Sequence, residues 1–171
     1  MGGLALIIAE TPRLRIRHLV ADDAHFTCRL LNEPSFIENI ADRGVRSAQD
    51  AVHYLADGPI KSYRQHGYGL FLVETSADAV ALGFCGLLFR EHLQETDIGF
   101  AFLPEFWGQG FAFEAASAVM HFGYRQLELP RIVGLVSAGN IASIKVLTRL
   151  GLQFEKVVAL LPSNESVQLY A

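Results

Sequence analysis

The sequence predicts an α/β (α+β) fold, and three observations support this prediction. Several segments alternate apolar and polar residues with period two, which is typical of strands that bury one face. Other segments carry apolar residues at helical spacing, and some of them follow a residue suited to cap a helix. Finally, the apolar segment 97–103 runs directly into a glycine loop, which is followed by an apolar helical pattern that continues to Leu127.

Length and composition exclude several classes of protein. The 171 residues fit one domain, 1–171, that is long enough to bury a core. Apolar residues make up 51% of the chain, but no run of about 18 uncharged apolar residues is present, so we expect no contact with a membrane. The formal charge of −4 argues against a nucleic-acid partner.

The two cysteines indicate a reducing compartment. Cys28 and Cys85 form neither a disulfide framework nor a metal-ligand spacing, and the six histidines show no such spacing either. We therefore expect a cytoplasmic protein without a metal site, in which both thiols are small buried hydrophobic groups.

The first strand is predicted at 13–19, where Arg13, Arg15 and Arg17 alternate with apolar residues and are expected to form a solvated face. An apolar segment before it, 3–10, is predicted to be an edge segment or a tag remnant. Asp22 or Asp23 is a suitable N-cap for a helix that ends near Asn32, where Pro34 interrupts or restarts it.

The region 36–67 has a helical pattern in pieces. Ser47 and Asp50 have the spacing of a capping box, and Gly58 with Pro59 is expected to interrupt the helix that follows.

The remaining elements follow from the same signals. Strands are predicted at 68–74, 80–90, 94–103, 131–137, 153–161 and 166–170, with helices at 108–127 and 140–151. Asn140 is the expected N-cap of the second helix, and Gly151 is its expected left-handed C-terminal residue.

The loop before the first of these helices predicts an anion site. Gly108, Gly110 and Ala112 leave the backbone uncovered where the helix begins. The first N–H groups of a helix have no internal partner, and the helix dipole places about half a positive charge there. A strand that leads into such a loop favours a bound phosphate over an ordinary turn.

These residues resemble the coenzyme A pyrophosphate loop of the GNAT acyltransferase superfamily, in the branch of the RimJ and RimL ribosomal-protein N-terminal acetyltransferases. The sequence Trp-Gly-Gln-Gly-Phe-Ala-Phe-Glu-Ala, which begins at Trp107, carries the resemblance. It extends to Thr-Pro-Arg-Leu-Arg-Ile-Arg from Thr11 and to Asn-Ile-Ala-Ser from Asn140. The resemblance covers nearly the whole chain. It implies a mixed sheet of about seven strands with helices on both faces, and acetyl-CoA as co-substrate.

The resemblance also implies a set of coenzyme-binding residues. The pantetheine arm is expected in a gap between parallel strands at 100–103 and 133–136, with one N–H near Ala101 or Phe102 directed at the thioester carbonyl. Lys145 and Arg149 are either contacts for the 3′-phosphate or part of a solvated helix face. The implied coenzyme-binding residues are Phe100, Ala101, Phe102, Gly108, Gln109, Gly110, Phe111, Ala112, Phe113, Asn140 and Ser143.

Two catalytic residues are predicted. Asp97 stands where this branch usually has Glu; it is either the base that accepts the amine proton, directly or through water, or a solvated carboxylate at a strand end. Glu95, two residues away on the same strand, should face the same side. Many members of the superfamily protonate the thiolate with a Tyr at the position of Leu147, so we expect Ser143 either to replace it or only to cap its helix.

The sequence therefore predicts an N-acetyltransferase that acts on a primary amine by direct attack in a ternary complex. A protein N-terminal α-amine is the expected acceptor, and a homodimer is possible. Two alternatives stay open: a small-molecule acceptor such as a polyamine, an antibiotic or an amino compound, and a coenzyme-binding sensor without turnover.

Overall fold

The computed structural model describes residues 5–171 and arranges this part of the chain as eight strands and six α-helices. The strands are β1 (Ile7–Glu10), β2 (Leu14–His18), β3 (Leu70–Thr75), β4 (Ala81–Arg90), β5 (Glu95–Phe102), β6 (Gly134–Val136), β7 (Phe154–Leu160) and β8 (Glu165–Tyr170). The α-helices are α1 (Ala24–Leu31), α2 (Pro34–Asn39), α3 (Ala48–Leu55), α4 (Lys61–His66), α5 (Phe111–Arg125) and α6 (Ile141–Arg149).

The strands form two antiparallel sheets, one with the order β1-β2-β3-β4-β5 and one with the order β6-β8-β7. A single parallel bridge between Asp97 of β5 and Val133 joins them. The expected strand at 131–137 is shorter, since only Gly134–Val136 pairs with β8. The expected edge segment is β1; Gly3 and Leu4, with which the prediction began, lie outside the described residues.

Helices cover both faces of the larger sheet, as predicted. Alternate residues of β3 and β4 point to opposite faces, so Phe71 and Cys85 pack in the core beneath α5, whereas Leu72 and Phe84 pack against α1 and α3. Cys85 is completely buried, and burial raises the pKa of its thiol, which makes it an unreactive core residue.

The prediction that Gly58 and Pro59 interrupt a helix is only partly right. A capping box at Ser47 and Asp50 begins α3 as expected, but the helical path continues through a π-helical turn, Ala56–Ile60, into α4. Proline lacks the N–H for a regular helical bond, and the wider turn accommodates Pro59 without ending the helix. No helix in residues 5–171 is both long and apolar enough to cross a membrane.

The arginines of β2 do not form the solvated face that alternation predicts. Arg15 and Arg17 both pair with Glu74 of β3, at 3.3 and 3.1 Å, and Glu74 is only 4% exposed. Arg17 also pairs with Asp23 at 3.0 Å. The acidic partners are distant in the sequence, so the alternation alone could not identify them.

Candidate active site

The glycine loop lies between the end of β5 and α5. After β5 the chain makes a 3₁₀ turn, Pro104–Phe106, and the indole Nε1 of Trp107 donates to the Phe102 carbonyl at 2.8 Å. Gly108 and Gly110 then have φ angles of 72° and 81°, a region that favours glycine. The helix begins at Phe111 rather than at Gly108, because these two residues are not helical.

Six successive backbone N–H groups, from Gly108 to Phe113, have no protein partner within residues 5–171. The first helical hydrogen bond of α5 runs from the Glu114 N–H to the Gly110 carbonyl at 3.1 Å. Gly110 is the N-cap and has no side chain to satisfy the exposed donors. The loop therefore presents uncapped donors at the positive end of a 15-residue helix.

Arg13 supports this loop from behind, a role that sequence reasoning missed. Its Nη1 donates to the Gln109 carbonyl at 2.9 Å, and its Nε donates to Glu114 at 2.7 Å. Thr11 donates to the same carboxylate at 2.6 Å. Burial acts to raise the pKa of Glu114, but hydrogen bonds from Thr11 and Arg13 outweigh it and lower that pKa. The alternation of charged and apolar residues at 13–19 gives no information on this contact.

The second part of the site is the open edge of β5. The Ile98 N–H points away from β4 and donates to the Val133 carbonyl. The Leu103 N–H points the other way and donates to the Leu82 carbonyl of β4. Because peptide groups alternate along a strand, the Ala101 N–H faces β4, and the N–H groups of Phe100 and Phe102 face the open edge. The N–H of Ala101 or of Phe102 was the predicted donor to the thioester carbonyl. Only the Phe102 N–H faces the gap, and the Phe100 N–H faces it as well.

Asp97 is not the solvated strand-end carboxylate that the sequence left as one alternative. It lies within β5, is 2% exposed, and accepts from Nε and Nη2 of Arg90 at 3.1 and 2.8 Å. Its other oxygen accepts the Leu135 N–H at 3.1 Å. Burial raises the pKa of Asp97 to about 6, against the opposing effect of Arg90. Glu95 instead pairs with Arg131 at 3.1 Å.

The third part is the beginning of α6. Asn140 caps this helix as predicted, because its side-chain oxygen accepts the Ser143 N–H at 3.2 Å. The Ser143 hydroxyl has no partner within the described chain, so it is free to donate elsewhere. A Cβ on Gly134 would lie 2.5 Å from Leu147, and the missing side chain lets α6 pack closely on β6. Leu147 is buried in this contact.

Two cavities, of about 530 and 630 Å³, meet between these elements. The smaller one contains the glycine loop, and we call it the loop cavity; the larger one contains Asp97 and Arg90, and we call it the Asp97 cavity. The residues that line both are Phe36, Asn39, Ile40, Phe100, Ala101, Asn140 and Ser143. A ligand in either cavity would therefore meet the open edge of β5 and the start of α6.

Ten of the eleven predicted coenzyme-binding residues line the loop cavity. The eleventh, Gln109, lies in the same loop, and its N–H has no partner in residues 5–171. Lys145 and Arg149 of α6 line this cavity too, and the Arg149 guanidinium lies 4.0 Å from the centre of the Phe113 ring. They stand on the loop side of α6, where a phosphate would be stabilised by positive charge. Within the described residues, no group of His, Cys, Asp and Glu side chains has the arrangement of a metal site.

The five-stranded sheet, the three-stranded sheet and their helices form the fold of the GNAT acetyltransferases. The chain belongs to this family: the model of the acetyltransferase (GNAT) domain matches residues 13–153. It is an N-acetyltransferase, and proteins of this family use acetyl-CoA.

Relatives and solved structures agree with this assignment. The chain is 27% identical to YkkB of Bacillus subtilis over 154 residues, 86% of each chain. It is 28% identical to the N-acetyltransferase p20 of Bacillus licheniformis over 149 residues, 85% of this chain and 82% of p20. The structure of RimL, the ribosomal L7/L12 α-N-protein acetyltransferase, in complex with coenzyme A superposes with a TM-score of 0.82, at 19% identity and 96% coverage of both chains. At the level of the fold, this supports the predicted RimJ/RimL-like branch.

Proposed function

We propose that this enzyme transfers the acetyl group of acetyl-CoA to a protein N-terminal α-amine, by direct attack in a ternary complex. The observation that carries the proposal is the wall shared by the two cavities, where Phe100, Ala101, Asn140 and Ser143 face both spaces. A thioester bound in the loop cavity and an amine bound in the Asp97 cavity would meet at this wall. Holding both reactants there removes much of the entropic cost of the reaction.

The donors in the loop cavity fit coenzyme A. The unpartnered N–H groups from Gly108 to Phe113 suit its pyrophosphate, and Lys145 or Arg149 suits its 3′-phosphate. The open edge of β5 offers N–H and carbonyl groups to the amides of the pantetheine arm.

The residues at the shared wall have distinct roles in the proposed reaction. The amine nitrogen attacks the thioester carbonyl, and the N–H of Phe100 or Phe102 stabilises the developing oxyanion, which is worth roughly 3 kcal/mol for one well-placed donor. Asp97 accepts the proton that the amine loses. As the carbon–sulfur bond breaks, Ser143 donates its proton to the departing sulfur and recovers one from solvent, to which Asp97 releases the proton that it took from the amine.

The chemistry of the base favours an α-amine over a lysine. An α-amine with a pKa near 8 needs about 1 kcal/mol to become neutral at pH 7, whereas a lysine needs about 4 to 5 kcal/mol. The pKa of Asp97, about 6, is closer to that of an α-amine, near 8, than to that of a lysine, about 10.4. RimL, whose fold this chain shares, is an α-N-protein acetyltransferase, which supports the same acceptor class.

The proposal is tested by measuring thiol release from acetyl-CoA with three acceptors. These are a peptide with a free N-terminus and one internal lysine, the same peptide with a blocked N-terminus, and a panel of polyamines and aminoglycosides. We expect turnover with the first peptide alone, and mass spectrometry should place the acetyl group on the α-amine. Higher kcat/KM for a small amine would reject the acceptor class, and binding of acetyl-CoA without turnover of any amine would support a sensor.

A further inference from the structure

The gap between the two sheets begins at a definite residue. The Val133 N–H donates to the Thr96 carbonyl and the Ile98 N–H donates to the Val133 carbonyl, both at 2.8 Å. These two bonds are a regular parallel ladder centred on Asp97 and Val133. If the ladder continued, the Leu135 N–H would donate to the Ile98 carbonyl, and the Phe100 N–H would donate to the Leu135 carbonyl.

The side chain of Asp97 takes the place of that next ladder bond. Its Oδ1 accepts the Leu135 N–H at 3.1 Å, so the backbone of β6 is held by a side chain rather than by the backbone of β5. A carboxylate accepts more strongly than a carbonyl, which favours this arrangement over the closed ladder. As a result, the N–H of Phe100 stays without a partner in residues 5–171.

The carboxylate is itself held in place. Arg90, on the neighbouring strand β4, donates twice to Oδ2, at 3.1 and 2.8 Å. Asp97 is 2% exposed, and Arg90 keeps a quarter of its side-chain surface exposed. Two strands of the larger sheet, β4 and β5, therefore fix the carboxylate that holds β6 of the other sheet.

We propose that Asp97 is a positioning residue that keeps the gap between β5 and β6 open by capping the Leu135 N–H. This role deepens the proposed function, on which it rests for the identity of the ligand, and it is additional to accepting a proton. Without the cap, the Leu135 N–H pairs with the Ile98 carbonyl. The ladder then closes over the Phe100 N–H that the pantetheine arm requires.

The test compares two substitutions by their affinity for coenzyme A, measured by calorimetry without acceptor. Asp97→Asn keeps an oxygen that can accept the Leu135 N–H, whereas Asp97→Val cannot accept. We expect Asp97→Val to weaken binding at least about 10-fold, and Asp97→Asn to stay within about 3-fold of wild type, since only the first loses this hydrogen bond. Both variants should turn over more slowly at neutral pH, because both lack the proton acceptor and depend on the fraction of amine that is already neutral.

Thr96→Val is the matched control. Thr96 is buried on the same strand and bonds the Tyr68 hydroxyl at 3.0 Å, so its substitution reports general destabilisation of β5. Equal affinities of folded Asp97→Val and wild type would overturn the positioning role and leave the proposed function intact. Coenzyme binding by wild type without turnover would instead reject the proposed function and leave the positioning role intact.

Amide hydrogen exchange of the wild-type protein gives a second test that needs no variant. We expect the Leu135 amide to be protected in the free protein, while the Phe100 amide exchanges quickly and becomes protected when coenzyme A binds. Slow exchange at Phe100 in the free protein would show a closed ladder and overturn the proposal.

Discussion

The helices α5 and α6 begin at the same cavity, but their first turns are built differently. At the start of α5, Gly110 is the N-cap, and the N–H groups around it have no side chain to satisfy them. At the start of α6, Asn140 satisfies the Ser143 N–H directly. The positive ends of both helix dipoles therefore lie at the loop cavity.

The difference between the two helix starts indicates that they have different roles. An uncapped start has several donors to offer and is stabilised by an external anion, whereas a capped start is complete without a ligand. What α6 contributes is a side chain, the Ser143 hydroxyl, on a helix that is already fixed. We infer that α5 serves binding and that α6 serves the chemical step.

The largest effect is expected when a side chain is placed in the α5 loop. Gly110 has a φ of 81°, which a β-branched residue does not adopt, so Gly110→Val should move the loop donors away from the pyrophosphate. Loss of two charge-assisted hydrogen bonds corresponds to about 1,000-fold weaker binding of coenzyme A. Calorimetry measures this directly.

Gly151→Val is the control for Gly110→Val. Gly151 has a φ of 92° at the far end of α6, so the same strain arises away from the loop. This variant should melt earlier but bind coenzyme A nearly as well as wild type. If both valine variants lose affinity for coenzyme A equally, the loss reflects backbone strain and not contacts made by the loop.

A smaller effect is expected for the hydroxyl of α6. Ser143→Ala should lower kcat about 100-fold, as removal of a general acid does, while the affinity for coenzyme A stays the same. Thr148→Ala, on the same helix, removes a hydroxyl that bonds the Ile144 carbonyl and should leave kcat unchanged. A Ser143→Ala enzyme with wild-type kcat would reduce Ser143 to a structural residue.

The pH dependence of the reaction tests whether Asp97 is the base. Above its pKa of about 6 the Asp97 carboxylate is ionised and accepts a proton, and below it the group is neutral and does not. For an α-amine acceptor, kcat/KM should therefore be level between about pH 6 and 8 and fall about tenfold per pH unit below 6. In Asp97→Asn the fall should begin near pH 8, at the pKa of the amine. A profile that falls from pH 8 in wild type would show that Asp97 is not the base.

The smallest effect is expected for the cap of α6. Asn140→Ala should cost about 1 kcal/mol of stability, since it leaves the Ser143 N–H unsatisfied. Asn140→Asp keeps the acceptor and should melt close to wild type. A thermal melt of the two variants distinguishes them. An unchanged melting temperature for Asn140→Ala would mean that the cap does not stabilise the protein.

The parts of the site that the sequence predicted correctly depend on local signals. A strand followed by Gly108 and Gly110 predicts an uncovered helix start, and Asn140 three residues before Ser143 predicts a cap; both arrangements are present. The helix begins three residues later than predicted, at Phe111, because the positive φ angles of the two glycines belong to the loop and not to the helix.

The parts that the sequence could not predict depend on partners far away in the chain. The burial of Asp97 follows from the register of β4 and β5, which places Arg90 beside it, and from the approach of Leu135 across the gap. The support of the loop by Arg13 needs a contact with Glu114, 101 residues later. Periodicity describes one strand at a time and contains no information on either contact.

The most direct test of the account is a titration of the ¹⁵N-labelled protein with coenzyme A, followed by the backbone amide resonances. We predict that the largest shifts occur in two groups, the loop amides from Gly108 to Phe113 and the open-edge amides of Phe100 and Phe102. The amides of Gly99 and Ala101, which face β4, should shift less. Binding that leaves the loop amides unchanged, or no binding at all, would contradict the account.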